Sequence, residues 1–427
     1  MLRYLLSIHC ICFFAAAASA EDLQVHRQKL ANGIRVTYLH VPGSKNFSMF
    51  SFLPMGLAGD DANHAQWAHL VEHLTIRTTI PDQLFDANAE TQADHMRLDY
   101  YGTIDNWREA LSHHQKWLQG LPFDEQTLKV EAPRANSEAD STAANLFSGK
   151  FAVAAWNQAY RHRLTHAAVK QDLLDAKLAD IQRYRDEHLF VPERTVICAI
   201  GGVAPQEALT AISQAMGGLK SAAKTPEPLK KLPPIDATIT WDLSSRQLMY
   251  CWPVCGLQTP TDYAALQVIA TFLTMQASQD AAVAKLCGPI WCGTDLVSPE
   301  GPQFSISATL KSGADASALR ARFDEYRRLL ADSPQPMQSA RIIGSQLADT
   351  LKPRAFSTLL AQVTDPSQRK FAEAQFGLMW GTADVRLGDQ RDAIIKSLEQ
   401  LKPQDLQHAV DTYLRPEVRT TILFVPK

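Results

Sequence analysis

The sequence predicts an α+β protein of two similar units, each a sheet with helices packed mainly on one face. Two observations carry this. The first is an internal repeat. Gly56-Leu57 follows the apolar stretch Phe50–Leu53 and precedes a helix around His69. Gly256-Leu257 follows Leu248–Trp252 and precedes a helix from Tyr263 to Met275, at an offset of 200 with no gap. A second match closes each unit: Leu189 with Arg194–Ile197 resembles Leu414 with Arg419–Ile422, at an offset of 225. The second observation is the element pattern, in which strands come in runs with helices between them.

Taken in order, residues 1–20 read as a secretory signal peptide. Arg3 gives a positive start, Leu5 to Ala17 is mostly apolar, and Ala18-Ser19-Ala20 is a small-residue cleavage signal. A membrane anchor is the alternative, but the apolar run is short for a span. Export to the periplasm, or secretion, is expected after cleavage near Ala20. No later stretch reaches about 18 apolar residues, so no stable membrane insertion is expected.

The first unit is expected over residues 21–219. Gln24–Leu30, the Asn32-Gly33 turn and Ile34–His40 form a hairpin signal. Strand Ser48–Leu53 and the His69 helix follow, then a strand from about Glu90 that ends at Tyr100-Tyr101. Helices are expected over Asn106–Leu118, Asp124–Leu146 and Leu178–Glu187, and a strand over Thr195–Ile200. Residues 220–234, rich in Pro and Lys and without periodicity, read as an extended linker to a second unit over 235–427.

The net charge of −3 comes with no long basic or acidic run, which argues against nucleic acid and anionic membrane as partners. Cys10 and Cys12 leave with the signal peptide, and five cysteines remain. Cys198 lies in an apolar strand and reads as a buried free thiol. Cys251/Cys255 and Cys287/Cys292 are close pairs that fit disulfides in an oxidising compartment, with free thiols or a four-cysteine zinc site as alternatives.

The most specific motif is His69-Leu-Val-Glu-His73. Histidines four apart on a helix lie on one face, where one cation reaches both. Glu72 borders that face and can take a proton from a water that the cation polarises. Chance would place H-x-x-E-H about 0.02 times in a chain of this composition. Trp67, Ala68, Leu70, Val71 and Leu74 make the helix mostly apolar, and buried imidazoles and carboxylates need partners. The repeat sharpens the point, because His69, Glu72 and His73 fall on Ile269, Phe272 and Leu273. A third ligand is expected from the Asp124–Leu146 helix, where Glu131 and Glu138 lie two turns apart on one face. Periodicity does not choose between them, and Pro133 predicts a kink or a helix start. His113-His114 sits on an exposed-looking face, and His162, His166 and His188 lack ligand spacing.

The inverted zinc motif, the repeat and the opening Leu30-Ala-Asn-Gly-Ile-Arg-Val resemble pitrilysin–insulinase peptidases, most closely the short two-domain type that includes the mitochondrial processing peptidase. The resemblance runs over nearly the whole chain after the signal peptide. It implies one Zn2+ per chain held by His69, His73 and Glu138, with Glu131 as an acid behind them and Glu72 as the base. Asn88-Ala-Glu-Thr, with Asp94-His95 and Tyr100-Tyr101, is similar to the family's substrate-binding strand, which makes Asn88 and the backbone at Ala89 peptide contacts. Two stacked units per chain and four around a chamber are implied.

Two departures stand out. The 65 residues from His73 to Glu138 are fewer than the family usually has, which points to a shortened loop near Thr103–Asp105. The family's Arg and Tyr, which polarise the substrate carbonyl, are missing from Lys285–Cys292. The expectation is a zinc endopeptidase for peptides or unfolded polypeptides, working beside a homologous subunit that supplies the Arg/Tyr pair. A non-catalytic scaffold of the same fold is the alternative.

Overall fold

The computed structural model describes residues 23–60, 64–80, 86–92, 95–144, 173–221, 223, 233–241, 244–254, 259–295, 303–332 and 336–426. The expected signal peptide, His162, His166, Cys255 and most of the linker lie outside the described residues.

The hairpin forms as expected. Strands β1 (Gln24–Lys29) and β2 (Arg35–His40) pair antiparallel. Gly33 turns the chain at φ +98°, a conformation L side chains rarely adopt. Asn32 Nδ2 donates to the carbonyls of Met216 and Leu219 at 2.9 and 3.0 Å, tying the turn to the end of the unit. Next come β3 (Asn46–Leu53) and helix α1 (Trp67–Thr79).

The single strand expected from about Glu90 is instead two, β4 (Ala87–Thr91) and β5 (Met96–Thr103), paired from Thr91↔Met96. Their connection carries no Asn-Gly pair or glycine, so it gives no turn signal. It is closed by the Gln92 N–H donating to the His95 carbonyl at 2.8 Å. Helices α2 (Trp107–Gln119), α3 (Glu125–Ala144) and α4 (Leu178–His188), strand β6 (Val196–Gly201) and α5 (Pro205–Met216) complete the unit. Helix α3 passes through Pro133 rather than starting there.

The first sheet runs β1-β2-β6-β3-β5-β4, with β2 and β6 parallel and the other pairs antiparallel. The second unit contributes β7 (Asp236–Trp241), β8 (Gln247–Pro253), α6 (Pro260–Gln279), α7 (Ala281–Leu286), β9 (Cys287–Asp295) and β10 (Gln303–Leu310). Six further elements follow: α8 (Ala316–Asp332), α9 (Pro336–Thr350), α10 (Pro353–Gln362), α11 (Pro366–Leu387), α12 (Arg391–Gln400) and α13 (Pro403–Tyr413). Strand β11 (Thr420–Pro426) ends the chain. Its sheet, β7-β11-β8-β10-β9, reproduces the β2-β6-β3-β5-β4 portion of the first, including the parallel pair. The offsets of 200 and 225 would carry Phe52↔Val196 onto Trp252↔Thr421, whereas Thr421 pairs with Tyr250. A slip of two residues leaves every side chain on its own face.

Each sheet buries one face under its unit's helices. Met49, Leu98 and Ile197 meet Leu70, Leu111 and Ile212 in the first core, and Tyr250, Phe304 and Ile306 meet Val268, Phe323 and Leu406 in the second. Ile269, Phe272 and Leu273 are buried, as the repeat argument requires.

The other face of sheet one is covered by helices of the second half. Leu39, Phe50, Phe52, Val196 and Ile200 pack with Phe356 and Leu360 of α10 and Ala374 and Trp380 of α11. Glycines allow α11 to come this close. A Cβ on Gly377 would stand 2.7 Å from Ile200 Cγ2, and one on Gly381 2.3 Å from Phe52 Cε2 and 2.9 Å from Cys198 Cβ. A buried polar seam locks the crossing. Asp384 accepts from Thr37 Oγ1 of β2 at 2.7 Å and from Arg391 Nη2 at 2.8 Å, while Glu373 accepts from Ser44 at 2.7 Å and Asn46 at 3.0 Å.

Two expectations are corrected here. Cys287 and Cys292 are free thiols, as is the buried Cys198, while the Cys251/Cys255 pair is not described because Cys255 lies outside the described residues. Cys287 and Cys292 lie five apart on one extended strand, about 16 Å by strand rise, beyond disulfide reach. His114 is not exposed. It takes an inward position on α2 with Ala110, Leu111, Trp117 and Leu118, and its Nδ1 lies 2.7 Å from Ser51 Oγ. Burial, with His113 adding to it, pushes its pKa down from 6.5 to about 3.

Two outcomes follow. Gly to Ala inside a helix ordinarily stabilises by about 1 kcal/mol, but Gly381→Ala should destabilise, because Phe52 and Cys198 are buried and cannot give way. A urea midpoint equal to or above wild type would contradict this. His114 binds its proton only below the range where the unfolded residue does. Stability should therefore fall as pH drops below 6.5, by up to about 1.4 kcal/mol per unit. Urea titrations of wild type and His114→Asn at pH 7.5 and about 5 should show a shallower acid loss in the variant; equal losses would exclude His114 as the source.

Candidate metal centre

Helix α1 is held at its start by Asp60, which has no exposed surface. Asp60 Oδ1 accepts from the Ala68 N–H at 3.3 Å and from the Tyr184 hydroxyl of α4 at 2.5 Å. Trp67, Ala68, Leu70, Val71, Leu74, Thr75 and Ile76 face the core. That leaves His69, Glu72 and His73 on the face toward α3 and β4.

The two imidazole Nε2 atoms stand 3.2 Å apart. Glu138 Oε2 lies 3.6 Å from His69 Nε2 and 3.4 Å from His73 Nε2. A tetrahedral zinc with bonds of about 2.0–2.1 Å has ligand atoms roughly 3.3 Å apart. The three donors match three corners of such a site in spacing and in chemistry. The helix that brings Glu138 here brings Glu131 two turns earlier. Glu131 is 2% exposed and its Oε2 is 2.9 Å from His73 Nδ1, the nitrogen facing away from the centre. Arg77 Nε at 3.3 Å and Arg134 Nη1 at 2.6 Å hold its other oxygen.

The charges of the cluster shift one another. Burial lowers the His69 pKa, but the hydrogen bond and charge of Glu138, with Glu72, outweigh it and the net shift is upward. Glu138 is held below the usual carboxylate range by its bond to His69 and by the His73 charge. Burial raises Glu72, against the pull of His69 and Thr91.

Strand β4 is one of the two edge strands of sheet one among the described residues and runs beside α1. Ala87 and Ala89 pack into the core shared with α1. Thr91, on the same face, donates from Oγ1 to Glu72 Oε2 at 2.5 Å. Asn88 alternates to the opposite face, paired across to Asp99. There Arg97 joins Glu90 at 2.9 Å to Asp99 at 2.7 Å. The structure thus brings His69, His73 and Glu138 together, sets Glu131 behind His73, and turns Ala89 but not the Asn88 side chain toward the helix. Thr91 is the residue that sequence reasoning left without a role. Its signal was present, since alternation from Ala87 and Ala89 puts it on the α1 face.

In the second unit, Lys285–Cys292 spans the end of α7 and the start of the edge strand β9, with Trp291 41% exposed. Arg322 and Tyr326 of α8 both bond Asp280 at the start of α7.

Residues 175–336 match a family model described as the peptidase M16 inactive domain. That stretch begins just before α4 and stops at α9, so it contains none of His69, His73 and Glu138. No curated protein matches the chain. Among solved structures, a protease from Helicobacter pylori aligns with TM-score 0.73 and 16% identity, over 95% of this chain and 100% of that one. The peptidase M16 inactive domain from Pseudomonas fluorescens aligns at 0.69 and 16%, over 95% and 98%. The first half of the periplasmic protease PqqL from Escherichia coli aligns at 0.69 and 13%, over 96% and 93%. These likenesses show the fold: the chain has the repeated two-unit architecture of these structures, and the stretch that matches the inactive-domain model lies across the junction of its halves.

Proposed function

We propose that this chain is an exported, periplasmic zinc-dependent endopeptidase that hydrolyses peptides or unfolded polypeptides. The observation that supports it most is the donor triangle of His69, His73 and Glu138, with Glu72 beside it and, alongside, a strand edge that pairs with no further strand among the described residues. Zinc, when bound there, lowers the pKa of a water and offsets charge that grows on a carbonyl oxygen. The remaining work belongs to the chain. His69 and His73 present Nε2 atoms, Glu131 fixes the His73 ring through Nδ1, and Glu138 supplies negative charge. The β4 backbone can align an extended peptide as an added strand. Glu72 takes the proton of the attacking water and hands it to the leaving amine.

The missing Arg/Tyr pair favours a homologous subunit that completes the site. Trp291 offers one N–H where a guanidinium offers five and a fixed charge. Losing such a stabilising donor costs about 10²–10³ in rate. The same observation favours the second reading, a non-catalytic scaffold.

Metal analysis should find about one zinc per chain, lost in the His69→Ala, His73→Ala double variant. Glu72→Gln should keep the zinc and lose peptide hydrolysis by about 10²–10⁴-fold. Turnover is to be measured on unfolded peptides for the chain alone and with any co-encoded homologue. A chain that takes up no zinc and hydrolyses nothing in either state is the scaffold; full turnover by the chain alone removes the need for a partner.

The two glutamates of α3 should separate in the same assay. Glu131→Gln should weaken zinc by about 10–100-fold, and Glu138→Gln by more. The reverse order in a competitive zinc titration would exchange their roles.

A further inference from the structure

Thr91 closes β4, beyond whose outer edge no strand lies among the described residues. Its side chain shares the face of Ala87 and Ala89, and its hydroxyl reaches Glu72 Oε2 at 2.5 Å. A β-branched residue in a strand has a stiff χ1, so this donor is aimed by the backbone. With Oε2 engaged, Oε1 is the oxygen left to receive a proton. On its inner side β4 is bound to β5 from Ala87↔Tyr100 to Thr91↔Met96. A peptide on the outer edge would bond the alternate residues Ala87, Ala89 and Thr91, whose backbone groups face away from β5.

We infer that Thr91 is a positioning residue for the Glu72 carboxylate, coupling the docking of a peptide on β4 to the orientation of the base; this rests on the peptidase reading above. Threonine suits both tasks, because its backbone belongs to the docking strand and its hydroxyl to the base. The hydrogen bond does not touch the metal donors, so its loss should act on the rate rather than on metal content.

The test compares Thr91→Val, which keeps the shape and removes the donor, with Thr91→Ser, which keeps the donor. Both are assayed in the form that turns over peptide, with the homologous subunit if that is required. Thr91→Val should retain zinc and lower kcat by about 10–100-fold with little change in KM, and Thr91→Ser should restore most of kcat. An unchanged kcat in Thr91→Val, a loss confined to KM, loss of zinc, or a serine variant as impaired as valine would each overturn the inference. Glu72→Gln separates the two levels. If it stays active, the base assignment falls and Thr91 falls with it; if it is inactive while Thr91→Val is unimpaired, only the Thr91 role falls. Should the wild type hydrolyse no peptide, the crystal structure of zinc-loaded Thr91→Val decides. A displaced Glu72 carboxylate supports the inference, and one left in place overturns it.

Discussion

Glu131 is almost fully buried, yet it carries a carboxylate shared by three donors from two helices: His73 and Arg77 of α1, and Arg134 of α3. An unpaired carboxylate in that position would be costly, so the donors must converge on it. Their convergence pins α3 against α1 in one register. Two helical turns on, that register delivers Glu138 to the pair of Nε2 atoms. The same bond sets the His73 ring with Nδ1 outward and Nε2 inward. The meeting of His69, His73 and Glu138 is thus a consequence of how one buried anion is neutralised.

A similar logic joins the halves. Helix α11 belongs to the second half in sequence and to the first sheet in space. Gly377 and Gly381 bring its backbone against Ile200, Phe52 and Cys198, Asp384 reaches Thr37 of β2, and Glu373 reaches Ser44 and Asn46 at the start of β3. Sheet one is therefore covered on both faces, and β4 remains the edge next to the centre. A charged layer of Glu90, Arg97 and Asp99 underlies that edge on the face away from α1. The cluster sits between helix α1 and a strand edge that pairs with no further strand among the described residues, and Thr91 links the two.

Much of this was legible in the residues. The H-x-x-E-H spacing placed His69, Glu72 and His73 on one face, and the 200-residue repeat showed apolar partners where these stand. The Asn32-Gly33 turn marked the opening hairpin. The missed elements lacked local signals. The β4–β5 turn has no glycine, so two strands read as one. His114 is polar, so its inward position on α2 was hidden until Ser51 and Trp117 appeared around it. Cys287 and Cys292 are close in sequence but far apart along an extended strand.

The sequence by itself determined the α+β class, the doubling of the unit and the helix that carries the metal motif, because these follow from periodicity and spacing within a few turns of chain. Only the tertiary structure decided which glutamate of α3 faces the histidines, that α11 crosses to the first sheet, and that Thr91 meets Glu72. Each depends on contacts between segments far apart in sequence. Such contacts are set by burial and charge neutralisation across the whole fold, which no local pattern encodes.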